Sequence, residues 1–116
     1  MGALVLQTRF KLGEPRQCFA NAGRVIKRCG RRDKSLRYCE GYFECHGWRM
    51  HHAWIEDGDG NVHEVTLRPH MLPAREAYTA VVRLDWSEFL VWFALGDEQF
   101  GGPAMTMTDL HDFSIV

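Results

Sequence analysis

His51-His52-Ala53-Trp54-Ile55-Glu56 and Val62-His63-Glu64-Val65-Thr66-Leu67 stand on either side of Asp57-Gly58-Asp59-Gly60-Asn61. Asp-Gly steps are strong turn formers and both flanks carry β-branched or aromatic residues, so the stretch predicts a β-hairpin. Side chains alternate along a strand, which places His52, Trp54 and Glu56 on one face and groups Val62, Glu64 and Thr66 in the same way. A loop of odd length turns both groups to the same side and makes the His52 imidazole and the Glu64 carboxylate cross-strand neighbours. A slip of one residue would present His63 instead.

Upstream, Gln17-Cys18-Phe19-Ala20-Asn21-Ala22 opens a helix predicted over 16–29. Phe19, Ala22, Ile26 and Cys29 recur at helical spacing, Pro15 suits a first helical position and Gly30 a stop. Cys18 then falls in the first turn, where unpaired N–H groups and the helix dipole favour a thiolate and can hold a developing oxyanion. A thiol nucleophile needs an imidazole, and the imidazole an acid to orient it. His52 and Glu64 are the candidates, with His51 a competitor for the base. Gln17 is a candidate oxyanion donor, and Phe19 lies beside the cysteine. Asn21, one turn on, either lines the cleft or bonds a loop. Glu40, Tyr42 and Trp54 are candidate cleft walls, against the ordinary reading of strand aromatics as core.

The remaining segments complete an α+β reading, with the cysteine-bearing helix packed on an antiparallel sheet. Residues 3–10 read as a short lead-in strand or an extended arm over the core, and Arg31 to Ser35 as a loop. Leu36 to Glu44 reads as a strand in which Gly41 marks a bulge or a close approach. Cys45 to Met50 is a turn. Pro69 and Pro73 interrupt the chain before a strand from Tyr78 to Leu84. Trp86 to Leu95 is apolar in a way that periodicity leaves open between helix and buried strand, and Asp85 or Ser87 as N-cap favours helix. From Gly96 the chain takes on loop character, and 105–116 forms a short closing strand or frays.

At 116 residues, 46% hydrophobic and 12% aromatic, residues 1–116 are expected to form a single domain with one modest core. A net charge of −1 argues against general attraction to nucleic acid or to an anionic membrane. The basic cluster from Lys27 to Arg37 reads as a solvated loop, or as a surface for an acidic substrate or partner. No signal peptide and no membrane span is expected, so the expected location is cytoplasmic and the four cysteines are expected as thiols. Cys29 and Cys39 read as small buried hydrophobes, whereas Cys45 stays unassigned. Neither metal nor cofactor is expected. Cys45, His46, His51, His52 and His63 lack zinc spacing, and the loop at 57–61 has Val62 and Arg68 where a calcium loop needs Gly and Glu.

Gln17-Cys18-Phe19 resembles the Gly-Gln-Cys-Trp nucleophile motif of transglutaminase-like proteins within the wider papain-like fold. His52-Ala53-Trp54 is similar to that superfamily's His-x-Trp strand, and Glu64-Val65-Thr66 to its Asp-x-Thr segment. Cys18 to Ala22, Tyr38 to Tyr42 and His52 to Trp54 also resemble the Cys-x-x-Asn-Ala, Tyr-x-Glu-Gly-Tyr and His-Ala-Trp series of small bacterial and phage proteins. The resemblance spans roughly residues 14–67. Arg16 stands in place of the first glycine, Phe19 in place of Trp, and Glu64 in place of Asp.

The resemblance implies a papain-like or transglutaminase-like core and a thiol-dependent hydrolase or acyltransferase. Cys18 would be the nucleophile, His52 the base and then acid, and Glu64 the orienting residue. Substrates would be peptides, proteins or small amides and thioesters. The rival expectation is a catalytically idle copy of the fold acting as a binding or inhibitory protein, for example a phage-encoded modulator of a host protein.

Overall fold

The computed structural model describes residues 2–7, 9–95 and 114–115. In chain order they form β1 (Val5–Gln7), α1 (Cys18–Cys29), β2 (Arg37–Cys45), β3 (Trp48–Glu56), β4 (Val62–Glu64), β5 (Tyr78–Leu84), α2 (Trp86–Leu95) and β6 (Ser114–Ile115). The sheet runs β1-β4-β3-β2-β5, with β6 also paired to β3. The architecture is α+β, but the sheet is mixed rather than antiparallel, because β1 joins β4 and β6 joins β3 in parallel. These two short strands bond partners that are not their neighbours in sequence. Their direction is therefore set by the path of the chain and carries no local signature.

The centre of the sheet follows from local chemistry. β2 and β3 turn through His46 and Gly47, whose φ values of 51° and 81° are the left-handed pair that a tight hairpin requires. At the next hairpin, Glu56 pairs with Val62 and Ile55 with His63 across the five-residue loop, so Glu64 shares a face with Glu56, Trp54 and His52. Asp57 holds that loop, accepting from the backbone N–H groups of Asp59 and Asn61 at 2.9 and 3.0 Å. Burial works against its charge, yet the hydrogen bonds from His63, Asn61 and Asp59 prevail and pull its pKa down to about 2.

Gly41 marks the bulge where β2 shifts register against β5. A Cβ there would run into the Thr79 carbonyl, so only glycine lets the two backbones approach.

Alternation divides the core into two layers. α1 and α2 cover the face carrying Tyr38, Ala53, Ile55 and Leu84, through Cys18, Ala22, Val25, Ile26 and Phe89. The opposite face packs Cys39, Phe43, Trp54, Val62, Leu67 and Tyr78. α1 starts at Cys18, two residues later than the periodicity predicts, because Arg16 at φ 63° sits in the left-handed region and breaks the helical run. α2 starts with reciprocal bonds, Glu88 N–H to Asp85 Oδ1 at 2.8 Å and Asp85 N–H to Glu88 Oε1 at 3.0 Å, which is a capping box. That motif resolves the choice between helix and strand for Trp86 to Leu95. The predicted loop from Gly96 lies outside the described residues, as does the closing segment apart from β6.

Candidate active site

His52 projects from the face of β3 opposite to α1, among aromatic rings. Phe43 lies edge-on at 5.2 Å between centroids, Trp54 stacks at 6.1 Å and Tyr78 is tilted at 6.4 Å. Its Nε2 lies 2.7 Å from Glu64 Oε1, with both side chains sealed from solvent. Glu64 is saturated by donors: Tyr78 Oη–H reaches the same Oε1 at 2.7 Å, and the backbone N–H groups of Thr66 and Leu67 each reach Oε2 at 3.0 Å. Burial raises a carboxyl pKa, yet the His52 charge and these hydrogen bonds outweigh it and hold Glu64 below its usual value.

Burial likewise works against a charged imidazole. The Glu64 carboxylate, with the Cys18 and Glu64 hydrogen bonds, overcomes it and pushes His52 from 6.5 up to about 10. Both shifts favour the imidazolium–carboxylate form of the pair. With Nε2 committed to Glu64, the nitrogen left for the thiol is Nδ1, which is buried without a well-formed hydrogen bond among the described residues. Cys18 lies close enough to raise the pKa of the ring.

α1 packs on the face of the sheet opposite to the aromatic surround of His52. β4 pairs with β3 only at Ile55 and Glu56, and β6 only at Met50 and His51. Among the described residues neither β4 nor β6 pairs in register with His52 itself.

His51 points the other way. Its ring meets Phe19 at 4.8 Å, and its Nε2 lies 4.0 Å from Glu40 Oε1. It therefore sits on the helix-covered face, away from Glu64. Glu40 is fully buried and accepts from Tyr38 Oη–H at 2.7 Å, a place inside the core rather than a cleft wall. Trp54 is likewise core, its Nε1–H donating to Glu56 Oε2 at 3.0 Å. Tyr42 is half-buried under the Arg49 guanidinium, 4.6 Å from its ring centroid.

Asn21 does not line a cleft. It donates to the Glu14 carbonyl at 2.8 Å and to Thr66 Oγ1 at 2.9 Å, tying α1 to the lead-in loop and to the chain just beyond Glu64. Gly13 leaves room for it, since a Cβ at that position would overlap the Asn21 amide. Gln17 is exposed and makes no side-chain cap to α1, and half-buried Phe19 borders the outer flank of the helix.

Tyr78 escapes sequence reading because its approach to Glu64 depends on the register of β5 after the bulge at Gly41, where it pairs with Phe43. All four cysteines are free thiols. Burial pushes the Cys39 thiol well up, which makes it a packing residue. Among the described residues, no cluster of His, Cys, Asp or Glu is arranged to hold a metal, and no helix is long and apolar enough to cross a membrane. Comparison with family models, curated proteins and solved structures finds no match to this chain.

Proposed function

We propose that the chain is a thiol-dependent hydrolase or acyltransferase acting on amides or thioesters through Cys18, His52 and Glu64. The observation that carries this reading is the sealed 2.7 Å contact between His52 and Glu64, with Cys18 at the same imidazole and at the start of a helix. A buried carboxylate with three further donors, two of them backbone N–H groups, is a rigid support, and it fixes the orientation of the ring.

An imidazolium cannot accept the thiol proton, so the competent state is a thiolate facing imidazolium. The sulfur attacks the carbonyl carbon, and N–H groups of the first turn of α1, which have no intrahelical acceptor, hold the oxyanion. Collapse of the adduct breaks the bond to the amine or thiol, which leaves with the proton from His52. Water or an amine then attacks the thioester and gives its proton to the neutral imidazole, and the acyl group departs as acid or amide. Thiolate and imidazolium are restored. Peptides, proteins and small acyl compounds are the proposed substrates, and the likeness of the motifs to the transglutaminase-like and papain-like superfamily supports the same chemistry.

The test is acyl-enzyme formation. With p-nitrophenyl acetate, intact-mass spectrometry is expected to show one acetyl group on Cys18, absent in Cys18→Ser and sharply reduced in His52→Ala. Acetylation of another thiol, or equal acetylation in His52→Ala, would remove the reading. One observation favours the rival, a catalytically idle binding protein: Cys18 is itself fully buried, so a substrate must displace whatever covers it.

A further inference from the structure

Arg16, Arg24, Lys27 and Arg28 on one side, and Phe89 and Phe93 of α2 on the other, border a groove of about 490 Å³ along the outer flank of α1. Gly23 makes it possible, because a Cβ there would come within 3.1 Å of the Phe89 ring. Among the described residues the groove is basic and lacks compensating acids. No acidic side chain is among its lining residues, and none of the four cations forms an ion pair with a carboxylate among the described residues. Lys27 Nζ instead rests 4.1 Å over the Phe93 ring, a placement that holds a cation at an apolar wall and leaves it free to meet an anion.

Such crowding of like charge sets Arg24 three and four residues from Lys27 and Arg28 on α1, a repulsion that the dipole at the last turn eases only for Lys27 and Arg28. Its physical use is complementarity toward an anion that also carries an apolar group. The groove runs to Gln17 and Phe19, the neighbours of Cys18 on either side. Cys18 itself is fully buried in the core and does not line the groove, so a substrate held there would reach the thiol from the end at Gln17 and Phe19.

Resting on the proposed reading of Cys18, we infer that this groove is the subsite for an acidic stretch of a peptide substrate, with carboxylates set against Arg16, Arg24, Lys27 and Arg28 and an apolar side chain against the exposed ring of Phe93. Its volume is that of a small-ligand cleft and suits a few residues. An unstructured nucleic acid strand would need a longer track, roughly 4–16 nucleotides per site.

The probe is the N-acetylated, C-amidated peptide Asp-Glu-Phe-Glu-Leu, with a counterpart in which lysines replace the acids. Both are titrated calorimetrically into the wild type and into Cys18→Ala, at low and at high salt. The acidic peptide is expected to bind both proteins alike and to weaken with salt, and the lysine peptide is expected not to bind. The double variant Arg24→Glu/Lys27→Glu, checked for wild-type circular dichroism, should lose roughly tenfold or more in affinity, and Phe93→Ala should also weaken binding.

Equal binding of the two peptides, binding of neither, or tighter binding of a thymidine decamer would overturn the inference. The peptide pair tests it in the wild type even if the double variant misfolds. Acidic-peptide binding beside an unreactive Cys18 would sink the catalytic reading and leave the groove standing; a reactive Cys18 without such binding would do the reverse.

Discussion

Position 16 sets a charged side chain on a backbone that favours glycine. Arg16 has φ 63°, and a non-glycine residue there bears strain on the order of 1 kcal/mol. The Arg16 side chain is exposed and lines the groove along α1. Arg16→Gly is therefore expected to raise stability by about 0.5–1 kcal/mol in urea unfolding while weakening the acidic peptide. Loss of stability would show that the side chain holds the fold.

Glu64 belongs to the same scale. Glu64→Gln leaves the buried His52 without its counter-charge, which costs about 3–5 kcal/mol and should bring the His52 pKa down, as read from imidazole proton shifts in NMR. Tyr78→Phe removes one charge-assisted donor and should cost about 1.5–3 kcal/mol. If Tyr78→Phe is neutral, its hydroxyl contributes nothing to the site. His52 and Glu64 were legible in the sequence because hairpin alternation fixes which side chains share a face. Tyr78 was not, because its place comes from the pairing of β5 with β2, two strands remote in sequence and joined through a bulge.

At the scale of elements, what the chain wrote locally was readable and what depends on remote pairing was not. The Asp57 to Asn61 turn, the stop at Gly30 and the cap at Asp85 act within a few residues of chain, and each is found where its chemistry required it; Gly41 was legible as a bulge or close approach, although the strand that approaches it was not. The start of α1 moved because of one left-handed residue, and the parallel partners β1 and β6 had no local signal. Spacing left Asn21 open between a cleft and a loop bond, and favoured core over cleft for Trp54; packing shows the bonds each makes. Gly41→Ala is expected to destabilise by more than about 1–3 kcal/mol, since its Cβ meets backbone that cannot move without parting β2 from β5. Wild-type stability in that variant would mean that the bulge relaxes freely.

For the whole molecule, the buried His52–Glu64 pair couples folding to pH. His52 is raised from 6.5 to about 10, so its contribution is complete below 6.5 and is lost as pH rises through about 10. Glu64 is lowered from 4.5, so its contribution is complete above 4.5 and is lost as pH falls through its folded value. Stability from the pair is thus greatest between 4.5 and 6.5. Above that window it should decline by up to about 1.4 kcal/mol per pH unit, a slope that Glu64→Gln should flatten. Urea unfolding from pH 5 to 9 reads this directly, and a wild-type profile as flat as that of Glu64→Gln would contradict the ion pair.

The measurement that bears most directly on the central claim is the pH dependence of iodoacetamide labelling at Cys18, followed by mass spectrometry in the wild type and in His52→Ala and Glu64→Gln. A thiolate held by imidazolium predicts labelling of Cys18 that persists below about pH 7 and disappears in His52→Ala. Identical profiles in all three proteins, or a Cys18 that stays unmodified throughout, would contradict the account.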